Sequence, residues 1–131
     1  MKSSLSNPSA DPSASSPRHY CYEIDPKVAA LNVVADTGTS HLLSYAQFLD
    51  TDRNANPELE QRPDAPPERM RIHFERADVV ILGSGLRRLE AGIQKQELKS
   101  VRSKGRAPDA MPDVQVEVVT ITFNKEQPYD Y

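Results

Sequence analysis

Apolar and polar residues alternate most regularly around residue 72. Met70, Ile72 and Phe74 are interleaved with Arg69, Arg71, His73 and Glu75. A period of two sends successive side chains to opposite faces of a strand, so one face is apolar and the other charged. The run breaks at Arg76-Ala77-Asp78 and resumes as the continuous apolar stretch Val79-Val80-Ile81-Leu82. This predicts a hairpin turning near residues 75–78, in preference to one bulged strand, although no Gly or Asn marks the turn. Residues 114–123 (VQVEVVTITF) form a second alternating run, whose phase slips at Val118-Val119 and predicts a bulge.

Three further segments are less regular. Residues 28–35 (VAALNVVA), between Pro26 and Asp36-Thr37-Gly38, read as a strand or a short helical turn. Residues 41–49 (HLLSYAQFL) read as a strand. Residues 50–68 are polar and carry Pro57, Pro63, Pro66 and Pro67, which predicts a long exposed loop. Beyond Gly83-Ser84-Gly85, with Ser84 as N-cap, a helix is expected from about Leu86 to Ser103. Leu86, Leu89, Ile93 and Val101 fall on one side of it at helical spacing, and Gly105 and Pro108 supply its stop.

Strands outnumber helices in this reading. The fold class it predicts is α+β: a small two-layer domain, with a mostly antiparallel sheet of four or five strands packed against one main amphipathic helix. Residues 1–19, rich in Ser and Pro, are expected to form a disordered arm. Residues 20–124 are expected to form the single domain, and residues 125–131 a flexible tail.

Composition narrows the function. The 131 residues carry a net charge of -3 and 37% hydrophobic residues, with 11 Pro and no Trp. That apolar content lies below the roughly 45–50% of an average globular chain. No stretch approaches the roughly 20 apolar residues of a membrane span, and the N-terminal segment lacks the apolar run of a secretory signal. The single cysteine, Cys21, allows no internal disulfide, so a reducing, cytoplasmic setting fits best.

Several strings suggest chemistry. Residues 78–92 resemble the strand, glycine turn and helix of a dinucleotide-binding fold. Gly83 and Gly85 fit the first two glycines, but Arg88 stands in place of the third and no βαβαβ unit follows. A simple strand-to-helix turn is preferred, with an anion site at the helix N-terminus as a physical possibility. Asp50, Asp52 and Asn54 fill the opening positions of a calcium loop, but Ala55 replaces its turn glycine and Gln61 its bidentate Glu; asparagine- and aspartate-type turns are preferred. His19, His41 and His73 are scattered and give no metal spacing. Arg69, Arg71, His73 and Glu75 share a strand face whose mixed charge favours cross-strand pairing; with the Gly83–Gly85 turn it is the first place to look for a pocket.

The strongest charge signal lies in residues 84–106, which hold seven basic and two acidic side chains. On a continuous helix Arg88, Lys95, Lys99, Arg102 and Arg106 would form one stripe, opposite Leu86, Leu89 and Ile93. These five are the candidate partner-binding residues. The expected function is a non-enzymatic protein-interaction or regulatory module that self-associates. A nucleic-acid-binding protein using the basic helix face is the alternative, and a small enzyme of unknown reaction is third. No cofactor or metal is implied.

Overall fold

The computed structural model describes residues 20–108 and 113–124. Along this chain run β1 (Tyr22–Ile24), β2 (Ala30–Val34), β3 (Ser40–Ser44), β4 (Phe48–Ala55), β5 (Glu68–Phe74), β6 (Ala77–Ser84), α1 (Arg87–Gln94), β7 (Leu98–Arg102) and β8 (Gln115–Phe123). The strands form two four-stranded sheets, ordered β1-β7-β2-β3 and β4-β5-β6-β8. β2 and β7 are parallel, and the other strand pairs are antiparallel. The chain crosses between sheets after β3, again through α1, and again between β7 and β8.

This overturns the expected sheet-on-helix layering: the second layer is another sheet. The cause is the end of α1, which is only eight residues long. Gln96 takes a left-handed φ of 57°. Its amide donates to Ile93 O at 2.9 Å, and the Glu97 amide reaches back to Gly92 O at 2.7 Å. These two bonds close the helix in the pattern usually built on glycine. The residues read as the rest of the helix form β7. Leu98 and Val101 are both fully buried, three positions apart. That spacing mimics a helix, but here it comes from an irregularity: Ile24 faces Leu98 and Glu23 faces Ser100, leaving Lys99 as an extra residue.

The two sheets share one core. Leu31 and Val33 of β2 and Leu98 and Val101 of β7 meet Met70, Ile72 and Phe74 of β5, Val79 and Ile81 of β6, and Val116 and Val119 of β8. α1 touches β4 and β7 and closes one side of the pair, inserting Leu89 and Ile93 with Leu86 just before it. Burial of such side chains contributes about 1.5–3 kcal/mol each before chain entropy is counted.

Other expectations are met in part. The β5–β6 hairpin turns at Glu75-Arg76, and Met70, Ile72 and Phe74 face inward. The bulge in β8 falls at Glu117, between Val116 opposite Gly83 and Val118 opposite Leu82, one residue before the slip in the sequence pattern. Residues 50–68 are not one loop. Residues 50–55 continue β4, and Pro57–Glu60 form a 3-10 turn whose cap, Asn56, is buried and accepts the Glu58 amide at 3.2 Å. The arm assigned to 1–19 and the tail assigned to 125–131 lie outside the described residues. Among the described residues no helix is long and apolar enough to cross a membrane.

Candidate functional site

The glycine turn serves packing. A Cβ on Gly83 would meet Gln115 O at 2.0 Å, and one on Gly85, whose φ is +66°, would meet Asp113 O at 2.6 Å. Both glycines therefore admit the chain that leads into β8. The free amide at the helix start, Leu86 N–H, donates to the Glu68 carboxylate at 3.0 Å, so the protein fills that anion position itself. Ser84 is the last residue of β6; the N-cap is Leu86, with no side-chain cap bond. β6 is antiparallel to both neighbours, unlike the strand of a dinucleotide-binding fold.

The calcium-like spacing is strand alternation. Asp50, Asp52 and Asn54 lie on β4 opposite His73, Arg71 and Arg69 of β5. Arg71 donates to both Asp52 oxygens, from Nε at 3.2 Å and Nη2 at 3.1 Å. This fork holds the Asp52 carboxyl below its usual range, chiefly by the hydrogen bond itself. His73 Nδ1 lies 3.0 Å from Asp78 Oδ1 of β6, while Nε2 lies 3.8 Å from Asp50 and 3.6 Å from Asp52. The Asp78 hydrogen bond leads in raising the His73 pKa above its ordinary value. The face first suspected of lining a pocket thus holds cross-strand ion pairs at Arg71 and His73, whereas Arg69 stands opposite the neutral Asn54 and Glu75 sits in the hairpin turn.

The five basic candidates do not form a stripe. Arg88 lies in α1 and Lys95 caps its end, whereas Lys99 and Arg102 lie on β7 and Arg106 follows it. They surround the short strand β1 instead. Arg88 and Lys95 border a shallow groove with Tyr22 and Ile24. Lys99 and Arg102 border another with Tyr20 and Glu23. Lys99 also pairs with Asp25 at 3.3 Å, and Arg106 stacks over the Tyr20 ring at 4.7 Å while donating to its hydroxyl at 2.9 Å. Glu23, Asp25 and Glu97 are interspersed among these cations.

The sheet edges show a sharper contrast. An edge strand offers unpaired N–H and C=O groups to any passing chain, and proteins blunt it with charge, proline, bulges or a cover. Three of the four edges are blunted in this way. β1 has three residues, an irregular register and the charged Glu23. β4 carries Asp50, Asp52 and Arg53, and α1 lies against it, with Glu90 bonded to Arg53 at 3.3 Å. β8 is clasped by the β2–β3 turn: Asp36 N–H donates to Val119 O at 3.0 Å, and Val119 N–H donates to Asp36 Oδ1 at 3.1 Å. Lys104 N–H takes Val116 O at 2.8 Å.

Among the described residues β3 has no such device. Residues 37–49 contain no Asp, Glu, Lys, Arg or Pro. The ladder to β2 is flanked by Ala35 N–H to Thr39 O at 2.9 Å and Tyr45 N–H to Ala29 O at 3.0 Å. Alternation from these ends turns the amides of His41 and Leu43 toward β2 and those of Ser40, Leu42 and Ser44 outward. No bond among the described residues covers that outer side. Leu42, at the middle, is 72% exposed. Beside it lies a groove of about 410 Å³ lined by His41, Leu42, Phe74, Arg76 and Phe123. Phe123 is 45% exposed and meets the His41 ring edge-on at 4.9 Å.

The fold is that of a small two-sheet protein, and among the described residues the outer side of β3 is the one sheet edge without a cover. Comparison with protein-family models, curated proteins and solved structures finds no match.

Sequence reasoning passed over this edge because residues 41–49 carry no chemical motif. The uncharged, proline-free run from 37 to 49 was the available signal.

Proposed function

We propose that the chain is a non-enzymatic protein-interaction module that self-associates. The observation that carries the reading is the β3 edge, which no bond among the described residues covers, with its exposed leucine and the groove of mixed polar and apolar lining beside it. Exposed apolar surface of this kind, next to unpaired backbone groups, is what strand addition uses. The charged side chains of the other sheet favour a structural role, because Asp52, Arg71, His73 and Asp78 satisfy one another. A cytoplasmic setting is supported by the single thiol, Cys21, which can form no internal disulfide.

Light scattering coupled to size exclusion, over a wide range of protein concentration, tests the reading. The expected result is a mass that climbs above the 14.6 kDa of one chain as concentration rises. A mass fixed at one chain throughout would overturn it.

A further inference from the structure

We infer that the occupant of the β3 edge is β3 of a second copy, paired antiparallel about a two-fold axis that passes between the two Leu42 residues. This deepens the self-association reading and rests on it.

The segment is self-complementary. Ser40-His41-Leu42-Leu43-Ser44, laid antiparallel on itself, sets Leu42 opposite Leu42 of the second copy and Ser40 opposite its Ser44. His41 then faces Leu43. No charge meets a like charge, because the strand carries none. The outward amides of Ser40, Leu42 and Ser44 all acquire partners, which amounts to roughly six new backbone hydrogen bonds in an antiparallel ladder. The exposed Leu42 side chains cover one another, and the β1-β7-β2-β3 sheets of the two copies become one continuous sheet across the axis. The other edges do not permit this. β1 is short and irregular, β4 is charged and lies under α1, and Asp36 and Lys104 already bond the outer side of β8.

The pairing is weak by size. Five residues of strand fall well short of the roughly 1,600 Å² buried in a standard stable complex. Association is therefore reversible and concentration-dependent.

Two variants of the full chain test the pairing. Leu42→Lys sets two ammonium groups opposite each other on a side chain already exposed to water, so the fold is retained and the association is lost. Leu42→Cys places two thiols across the axis with Cα atoms about 5.5 Å apart, within the range a disulfide spans. Mild oxidation should then give a covalent dimer. The native Cys21 is buried, so the parent chain should stay uncrosslinked, as should Glu117→Cys on the β8 edge.

If the parent chain associates and Leu42→Lys associates equally well, β3 is not the interface, while the module reading stands. If Leu42→Cys fails to crosslink in an associating protein, the two-fold register is wrong. If the parent chain is monomeric at every concentration, both the register and the module reading fail.

Discussion

Asp36 links the two sheets, so its removal should weaken the fold and unguard a second edge. Its carboxylate accepts the Val119 amide at 3.1 Å, while its own amide donates to Val119 O at 3.0 Å. Asp36→Ala deletes the first bond and leaves the second. A hydrogen bond to a charged group contributes about 1.5–3 kcal/mol where both partners are dry. Asp36 is solvent-exposed but Val119 is fully buried, so water replaces the lost acceptor only in part. The expected loss is therefore about 1 kcal/mol, or about 5 °C in melting temperature for a domain of this size. Asp36→Asn keeps an oxygen acceptor without the charge and should fall between the two. Urea denaturation followed by far-UV circular dichroism reads the stabilities, and amide exchange at Val119 reads the bond. The Ala variant should also aggregate faster, because the outer side of β8 then offers Val119 N–H to another chain. Wild-type stability in Asp36→Ala, with unchanged exchange at Val119, would refute the clasp.

Three further outcomes follow from the geometry. His73, held by Asp78 above all and faced also by Asp50 and Asp52, with Arg71 two residues before it on β5, has a folded pKa above its reference value of 6.5. The stability it contributes is complete below pH 6.5 and is lost as pH rises through the folded value; denaturation midpoints measured against pH should show this decline in the parent chain and not in His73→Gln. Gly83→Ala drives a methyl to 2.0 Å from the Gln115 carbonyl oxygen, so it should disrupt the β6–β8 pairing, cost more than about 3 kcal/mol and leave little folded protein by circular dichroism. Lys27, at φ 52° after Pro26 in an exposed turn, should be replaceable by Gly with a gain of about 0.5–1 kcal/mol in denaturant unfolding.

What could be read in the sequence depended on how local each determinant was. The β5–β6 hairpin and β8 were legible because strict alternation with Met70, Ile72 and Phe74 on one side requires a strand with one buried face. The second sheet was hidden by two coincidences. Gln96 ends α1 in a backbone conformation usually left to glycine, and the extra residue at Lys99 gives Leu98 and Val101 a helical spacing inside a strand. The polar run from 50 to 55 concealed six of the eight residues of β4, because an edge strand whose outer face is ion-paired looks like a loop in one dimension. The basic residues were found as residues, but their common stripe depended on the helix that Gln96 interrupts. The open edge could not be recognised until the guards on the other three were visible in space.

Residue-resolved amide exchange, in dilute and in concentrated solution, tests the unguarded edge most directly. In dilute protein the Ser40, Leu42 and Ser44 amides should exchange quickly while Val119 is slow, and in concentrated protein those three alone should become slow. Strong protection of all three in dilute solution, or rates that ignore concentration, would contradict an edge left open for a second copy.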